Sequence, residues 1–296
     1  MTTPQVSGAA PPVLSLICST IGRPDALKQL LDSISASDIT VPVEFVLIDQ
    51  SADQSCLRVL AEHPLRSVSK SLTSGRGLSV GRNAGLAVAT GSVVAFPDDN
   101  CWYPLQTLRL ALARLDEQPD LAGVSGMQVT ADHQPSMLRW LPQSTYITRT
   151  NFMRTSISST LFLRRSALPL LAPFDERIGA GSPGIYGSGE ESDLLLRMMA
   201  AGHRVMYCPD IHIGQDDDRD EVTEAFVAKM YKYGAGTGSL WRRHELSMAQ
   251  LGYHSARKLV GSGVRALRGH RIVARADIAY LKGQLRGLRG AGLPDN

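Results

Sequence analysis

The stretch GLSVGRNAGLAVATGSVVAFPDDN, residues 77–100, places a helical segment between glycines directly before a short apolar strand. The apolar run ends at Pro97 and is followed by two adjacent carboxylates, Asp98 and Asp99, and by Asn100. Adjacent carboxylates repel each other, so they need a compensating cation. Oxygen ligands of this kind suit Mg²⁺ or Mn²⁺, which usually bridge to a substrate phosphate. The alternative is a plain turn, because Asp and Asn also initiate bends after strands.

Strand and helix patterns alternate before this stretch. Apolar runs at 13–18 and 43–51 predict two strands, and leucines at helical spacing in STIGRPDALKQLLDSISAS predict a helix between them. The alternation predicts a mostly parallel α/β sheet with helices on both faces. Ligands of such sheets bind beyond the carboxyl ends of the strands, where we expect Thr20, Asp49 and Asp98–Asn100 to lie.

The patterns after residue 120 are shorter. AGVSGMQV and ISSTLFLRRSAL predict strands, the second leading into a helix, and RVMYC predicts a last short strand. The glycine-rich segment 177–189 predicts a flexible or tightly turned loop. The helix predicted from EESDLLLRMMAAG begins with the acids Glu190, Glu191 and Asp193. These acids either pair with the helix dipole or place a general base at a cleft behind the loop.

Two arginines in SGRGLSVGRNAG, Arg76 and Arg82, are candidates for contacting a diphosphate. The alternative is an exposed basic face of a helix. The glycine spacing in this segment is not the G-x-G-x-x-G of a dinucleotide-binding fingerprint. The first strand also ends in STIGRP and not in such a fingerprint, so a nucleotide-binding oxidoreductase is disfavoured.

Composition indicates a globular chain with a basic tail. The chain has 296 residues, 43% of them hydrophobic, and a formal net charge of +3. From Lys229 to the end, 13 Lys and Arg residues stand against 3 acids. Four separated cysteines indicate reduced thiols in a cytosolic protein. We expect neither a signal peptide nor a membrane-spanning run.

The basic tail predicts a helix with Ile278, Leu281, Leu285 and Leu288 along one face and arginines beside them. Such a helix either lies on an anionic membrane surface or packs back on the rest of the chain. Nucleic-acid binding is disfavoured, because the tail has few aromatic residues on which bases would stack.

Together these segments resemble the family 2 glycosyltransferases, inverting enzymes of the GT-A fold, over about residues 13 to 215. STIGRPDALKQLLDSI resembles the family's turn and leucine-rich helix, and VLIDQSADQS resembles its VVDDGSTD motif. The stretch 77–100 resembles the segment in which ARN-x-G precedes an aspartate-rich metal motif. GEESDLLLRMMAAGHRVMYCPD resembles the GEDxDLxLRxxxAGxRxxYxP block, whose second acid is the expected catalytic base.

The resemblance implies a hexosyl- or deoxyhexosyltransferase that moves a sugar from a nucleotide-sugar donor to an acceptor hydroxyl with inversion. By the same match, Glu191 is the catalytic base and Glu190 is the second candidate. A Mg²⁺ or Mn²⁺ ion is expected at Asp99, Asn100 and Asp98. The residues expected to bind the nucleotide sugar are Thr20, Arg23, Asp49, Arg82, Asn83, Asp98 and Trp102.

Four positions depart from the family pattern. Asn100 stands where the third acid of the metal motif is usual, and Gln50 replaces the second acid of VVDDGSTD. Glu191 stands where Asp is commoner, and Gln215 occupies a place where the family often has histidine, while His212 is interpreted as core or cleft wall. Asn100 and Gln50 support a second hypothesis, an inactive nucleotide-sugar-binding or scaffold protein of the same fold.

The expected organisation is a loose N-terminus at 1–12, a GT-A domain at 13–220 and a helical, basic extension at 221–296. The expected role is bacterial-type polysaccharide or glycolipid biosynthesis by a cytoplasmic enzyme, peripheral on the inner face of the cell membrane. The expected partners are the donor, a glycan or lipid-linked acceptor and an anionic membrane surface, with no nucleic acid.

Overall fold

Eight strands form one mixed sheet in the described part of the chain, which is residues 13–215 and 223–290 of a computed structural model. The predicted loose N-terminus at 1–12 lies outside the described residues. The strands are β1 (Leu14–Thr20), β2 (Val43–Asp49), β3 (Ser69–Thr73), β4 (Val93–Ala95), β5 (Gly123–Val129), β6 (Thr145–Tyr146), β7 (Leu161–Arg164) and β8 (Val205–Gly214).

The helices of the described residues flank this sheet or follow it in the C-terminal part. They are α1 (Pro24–Ala36), α2 (Ser55–Glu62), α3 (Leu78–Val88), α4 (Thr107–Glu117), α5 (Glu190–Ala200), α6 (Glu224–Arg243), α7 (Met248–Leu267) and α8 (Arg271–Leu288).

The strand order across the sheet is β3-β2-β1-β4-β7-β5-β8-β6. The first four strands in this order are parallel, and β7 runs antiparallel to both β4 and β5. β8 is parallel to β5, and the short β6 closes the edge antiparallel to β8. The prediction of a mixed, mostly parallel α/β sheet with flanking helices is confirmed.

The core lies on both faces of the sheet. In β1, Leu16 belongs to the hydrophobic cluster that contains Leu27 and Leu31 of α1. The next residue, Ile17, belongs to the opposite cluster, which contains Leu194 of α5. Because helices cover both faces, the central strands carry buried apolar residues on both faces, as their sequences indicated.

Two strands were not predicted, and one predicted helix does not form. β3 lies at the sheet edge with largely exposed polar side chains, so its sequence has no apolar run. The two-residue β6 is too short for any pattern. ISSTLFLRRSAL was expected to lead into a helix, but only a 3₁₀ turn, Arg165–Ala167, follows β7. Pro169 explains the correction, because the residue before a proline is disfavoured in a helical conformation.

The polar ends of the parallel strands meet at one edge of the sheet. Thr20 and Asp49 are the last residues of β1 and β2 and are partners in the strand register. Asp98 and Asp99 follow β4, which pairs with β1 on its other side. The sheet therefore brings together the strand ends from which the sequence predicted a binding site.

The C-terminal helices α6 and α8 cross at a glycine-lined contact. A Cβ added to Gly283 would lie 1.9 Å from the backbone oxygen of Tyr231, and one added to Gly234 would lie 1.9 Å from that of Tyr280. Only glycine allows the two backbones to approach this closely. α8 is therefore packed closely against α6, and the membrane alternative for the tail stays a prediction. None of the described helices has both the length and the apolar character needed to cross a bilayer.

Gly283→Ala is expected to lower the free energy of unfolding by at least about 2 kcal/mol, because the new methyl group overlaps backbone of α6. Gly263→Ala in α7 is the matched control, since a Cβ there meets nothing within 4 Å. It is expected to stabilise by about 0.5–1 kcal/mol through helix propensity. Urea denaturation measures both values, and equal effects of the two variants would contradict the close crossing.

Candidate active site

The guanidinium of Arg82, on α3, is buried at the junction of three segments. Its Nη1 donates to Glu190 Oε1 at 2.9 Å, at the start of α5. Its Nη2 donates to Ser158 Oγ at 2.7 Å and lies 3.4 Å from Asp98 Oδ1. A buried charge requires opposite charges and hydrogen bonds around it, and these contacts supply both. Arg82 thus joins two of the predicted site acids, and it is not on the exposed basic face considered as its alternative.

The first turn of α5 places its two glutamates in different environments. Glu190 is 5% exposed and accepts from Arg82, whereas Glu191 is partly exposed and accepts from Ser192 Oγ at 3.0 Å. Burial raises the pKa of Glu191 to about 7, the charge of Glu190 adds to the rise, and Arg82 opposes it. A carboxyl that titrates near neutral pH and reaches solvent is suited to general base chemistry.

Asp98 shares this cluster. Burial raises the pKa of Asp98 above the ordinary value, with the charges of Asp99 and Glu190 adding to the rise and Arg82 opposing it. Its side chain remains 28% exposed. Of the two predicted site acids after β4, Asp98 is therefore the one that keeps access to solvent.

Asp99 is buried, and both of its carboxylate oxygens have partners within the chain. Thr20 Oγ1 donates to Oδ2 at 2.5 Å, and Arg23 forms an ion pair with Oδ1. The compensating cation that two adjacent carboxylates require is thus an arginine in this structure. The predicted nucleotide-site residues Thr20 and Arg23 lie directly against the predicted metal motif.

Asn100 belongs to a group of hydrogen-bonded amides. Its Oδ1 accepts from Gln215 Nε2 at 3.0 Å, and Gln215 Oε1 in turn accepts from Gln128 Nε2. Neutral amides therefore occupy two positions at which the family pattern has an acid and often a histidine. Within the ranges 13–215 and 223–290, no three His, Cys, Asp or Glu side chains form a metal-binding group. At the predicted metal position both oxygens of Asp99 and Oδ1 of Asn100 are engaged within the chain, which leaves Asp98 as the one accessible carboxylate, so these residues do not fit a divalent cation.

Asp49 caps helix α2. Its Oδ1 accepts from the backbone N–H and the hydroxyl of Ser51 at 2.9 and 2.6 Å. Its Oδ2 accepts from the backbone N–H groups of Cys56 and Leu57 at 3.1 and 3.2 Å. The hydrogen bonds from Cys56 and Leu57 satisfy two donors of the helix N-terminus, and those from Ser51 hold the turn before it. The contact of Asp49 with a nucleotide base stays a prediction.

Gln50, which replaces an acid of the family motif, holds the loop before α3. Its Nε2 donates to Ser74 Oγ at 2.9 Å and to the backbone oxygens of Gly75 and Gly77 at 2.6 and 2.9 Å. Its Oε1 accepts from the backbone N–H of Gly77 at 3.3 Å. A carboxylate has no donor for the three acceptors, so the glutamine fits this loop as an acid would not.

Two other predicted site residues have structural contacts. Asn83 donates to the backbone oxygen of Phe174 at 2.8 Å and to Glu176 Oε1 at 3.0 Å. Trp102 pairs with Gly214 through two backbone hydrogen bonds of 2.9 and 2.8 Å, and its ring covers that glycine. Their predicted contacts with the donor stay predictions.

The glycine-rich segment 177–189 is a turned loop anchored to two helices. Ser79 Oγ of α3 donates to the backbone oxygen of Ile178 at 2.7 Å. The backbone N–H of Gly187 donates to the backbone oxygen of Lys232 in α6 at 3.1 Å. The loop therefore connects the α3 side of the site to the C-terminal helices.

Helix α6 brings a tyrosine to the acid cluster, which the sequence did not indicate. Burial raises the pKa of Tyr233 to about 12, and the charges of Glu190, Asp98 and Glu191 add to the rise. Ser188 Oγ donates to the backbone oxygen of Tyr233 at 3.0 Å. Sequence reasoning placed this helix in a separate extension, whose predicted boundary at 220 and 221 lies outside the described residues.

Ser158 and Gln128 were also missed. Ser158 lies in the polar run SISST, which carries no recognisable motif, yet it is a hydrogen-bond partner of Arg82. Gln128 lies within β5 and bonds to Gln215, the residue that follows the neighbouring strand β8. His212, interpreted as core or cleft wall, lies in β8 and is partly buried.

The sequence model of glycosyl transferase family 2 matches residues 15–167, which include Arg82 and the Asp98–Asn100 motif. The chain belongs to glycosyl transferase family 2. The prediction of the family is confirmed. The matched residues end at 167, before Glu190 and Glu191. No curated protein matches the chain.

Solved structures share the GT-A fold of this family member at low sequence identity. The mannosyltransferase PcManGT from Pyrobaculum calidifontis, in complex with GDP-Man and Mn²⁺, is 14% identical with a TM-score of 0.63, over 96% of this chain and 89% of its own. S. aureus TarS 1-349 in complex with UDP-GlcNAc is 17% identical with a TM-score of 0.58, over 94% and 92%. A longer S. aureus TarS structure is 20% identical with a TM-score of 0.55 over 77% of this chain, which spans 39% of that protein. The predicted GT-A fold is confirmed.

Arg82→Met is expected to lower the free energy of unfolding at neutral pH by about 3 kcal/mol, because it leaves Glu190 and Asp98 buried without a cation. Burial and the charges of Asp99 and Glu190 already raise the pKa of Asp98, and the loss of Arg82 raises it further. The loss of stability is therefore largest above neutral pH and shrinks as pH falls and Asp98 binds a proton. Urea denaturation at pH values from acidic to slightly basic measures this dependence.

The double variant Arg82→Met, Glu190→Gln is the control, since it removes one of the two uncompensated charges. It is expected to recover part of the lost stability at neutral pH. A loss that is independent of pH, or that the second substitution deepens, would contradict the charge-pairing role of Arg82.

Proposed function

We propose that the chain is an inverting transferase that moves a hexose or deoxyhexose from a nucleotide-sugar donor to an acceptor hydroxyl. The observation that carries the proposal is the partly exposed Glu191 carboxyl, with a pKa of about 7, beside the buried pair of Arg82 and Glu190. The family gives the general reaction class, since its members transfer glycosyl groups. The setting that we propose is bacterial-type polysaccharide or glycolipid biosynthesis in the cytoplasm, at the inner face of the cell membrane.

Glu191 acts as the catalytic base in this proposal. Its carboxylate takes the proton of the acceptor hydroxyl while the acceptor oxygen attacks the anomeric carbon of the donor. The bond between that carbon and the diphosphate oxygen breaks, and the nucleoside diphosphate leaves. One in-line displacement of this kind inverts the anomeric configuration. Glu190 is less suited to this role, because it is 5% exposed and already accepts from Arg82.

The leaving diphosphate gains negative charge as the bond breaks, so cations near it lower the barrier. Arg23 is the accessible arginine at the strand ends, with a side chain 49% exposed beside Asp99. Arg82 lies deeper and offsets the charges of Asp98 and Glu190. We assign Arg23 to contact the diphosphate. Arg82 offsets the charges of Asp98 and Glu190, so these carboxylates repel the diphosphate less. Asp98 is assigned to a hydroxyl of the ribose.

The structural neighbours suggest which donors to test. They were solved in complex with UDP, UDP-GlcNAc and GDP-Man. We propose a uridine or guanosine diphosphate sugar as the donor and a glycan or lipid-linked molecule as the acceptor. PcManGT was solved with Mn²⁺, but the oxygens of Asp99 and Asn100 in this chain are engaged, so no step of this mechanism uses a divalent cation.

Mn²⁺ is expected to change the affinity of the wild-type chain for UDP or GDP by less than about threefold, because the described strand ends offer a cation no free pair of carboxylates. Asn100→Asp adds a carboxylate near Asp98, and Mn²⁺ is expected to raise the nucleotide affinity of that variant by at least about tenfold. Isothermal titration in Mn²⁺ and in EDTA measures both. Gln118→Glu, at the end of α4, adds the same charge elsewhere and is the control. A tenfold or larger loss of wild-type affinity in EDTA would contradict this account.

Glu191→Gln is expected to lower the transfer rate by at least about a thousandfold, because a carboxamide does not accept the acceptor proton. Its affinity for the nucleoside diphosphate is expected to stay within about twofold of wild type, since Glu191 does not contact the donor in this mechanism. Release of nucleoside diphosphate from a panel of nucleotide sugars, with titration calorimetry for binding, measures the two quantities.

The pH dependence separates the two glutamates. The wild-type rate is expected to rise with pH through about 7, since the base must be deprotonated and the pKa of Glu191 is raised to about 7. Glu190→Gln removes a charge that raises this pKa, so the midpoint of the rate profile is expected to move to lower pH while activity persists. An inactive Glu190→Gln beside an active Glu191→Gln would reverse the assignment.

Donor binding by the wild-type chain without transfer to any acceptor and without donor hydrolysis would favour the inactive binding protein.

A further inference from the structure

Helix α7 presents an apolar stripe to solvent. Val260, Val264 and Leu267 are 68%, 42% and 90% exposed, and Leu259 beside them is 54% exposed. The first three recur at spacings of four and three residues, so they lie on one face of the helix. Single exposed apolar side chains are ordinary, but a contiguous apolar stripe marks an interaction surface.

A groove of about 710 Å³ adjoins this stripe between α6, α7 and α8. Leu259 of α7 and Ile278 of α8 contribute apolar walls, and Arg271 and Lys282 of α8 are cations in its lining. Both cations are exposed, and with Ile278 they fall at helical spacing on one face of α8. The groove is therefore apolar within and basic at its solvent side.

The surrounding surface is basic as well. Residues 223–290 contain 13 Lys and Arg and 3 Asp and Glu. Of these acids, Asp277 is 9% exposed, and Glu224 is paired with Arg275, another groove residue. Apolar side chains ringed by cations complement a surface whose outer layer is anionic and whose interior is hydrocarbon.

Other occupants match this face less well. A second copy of the chain would bring an identical cationic surface against it, and like charges repel. A nucleic acid would meet aliphatic side chains at the centre of the face, where single-stranded nucleic acids need aromatic rings for stacking. Charge complementarity and apolar character together favour a lipid surface.

We propose that the docking face, defined as the stripe of Val260, Val264 and Leu267 with the adjoining groove, binds an anionic phospholipid bilayer. The stripe inserts among the headgroups, and Arg271 and Lys282 contact lipid phosphates. The inference rests on the membrane location included in the proposed function and assigns a surface to it. It extends the contact from the Ile278 side of α8, which the sequence indicated, to the exposed stripe of α7.

Flotation of the full chain with vesicles tests the docking face. Wild type is expected to partition at least roughly tenfold more strongly to vesicles that contain phosphatidylglycerol than to phosphatidylcholine alone. The double variant Val260→Glu, Leu267→Glu is expected to lose at least roughly tenfold of that binding. The double variant Arg271→Glu, Lys282→Glu is expected to lose a similar factor on anionic vesicles only.

Matched controls change exposed residues that are not part of the docking face. Leu170→Glu, Leu171→Glu changes two leucines that are 101% and 88% exposed, and it leaves the docking face intact. Arg58→Glu, Arg66→Glu reverses two exposed charges outside the face. Both controls are expected to float like wild type. Unchanged thermal unfolding and unchanged UDP or GDP binding show that each variant is folded and that the donor site is intact.

The outcomes separate the surface from the proposed function. Wild-type flotation that the docking-face variants retain would overturn the surface and leave the membrane location standing. Failure of wild type to float, or equal flotation with neutral vesicles, would overturn both the inference and the membrane location. The proposed transferase activity would still be tested independently by the Glu191 variants. A wild-type dimer that the Val260→Glu, Leu267→Glu variant dissociates would assign the face to a second copy and overturn the proposal.

Discussion

The guanidinium of Arg82, buried among carboxylates, is the constraint on which the site depends. A charge removed from water is stable only when opposite charges and hydrogen bonds replace its hydration. Arg82 meets Asp98, 16 residues away in sequence, and Glu190, 108 residues away. Helix α3, the end of β4 and the start of α5 must therefore converge on one point. Because the guanidinium holds Glu190, the neighbouring Glu191 is the acid that stays accessible to an acceptor.

At the strand ends, internal hydrogen bonds and ion pairs occupy the polar side chains of the sequence motifs. One carboxylate oxygen of Asp49 caps α2 and the other accepts from Ser51, and the side-chain amide of Gln50 binds the loop before α3. Asp99 is neutralised by Arg23, and Asn100 is bonded to Gln215. Carboxylates that are satisfied in this way stabilise the fold that presents the site. Fewer carboxylates keep access to solvent, and Asp98 and Glu191 are among them.

The C-terminal helices connect the site to the docking face. The charges of the three site acids act on Tyr233 of α6. Helix α6 is itself held against α8 by backbone contacts that only glycine permits. α7 packs against α8 and turns its apolar stripe outward. Under the proposed function, a lipid-linked acceptor held at the membrane would meet a site whose wall includes α6 of the same helical unit.

The sequence by itself determined the sheet, the strand ends and the family, because these depend on local periodicity and on spacing within short segments. It located the stretch 77–100 and the acids at the start of α5, but it missed β3, whose polar edge position leaves no apolar pattern. Only the tertiary structure decided which partner each charge has. Asp99 pairs with Arg23 from 76 residues away, and Glu191 titrates near neutral pH because burial and a neighbouring charge act on it. Desolvation and ion pairing depend on groups that are distant along the chain, so local pattern does not specify them.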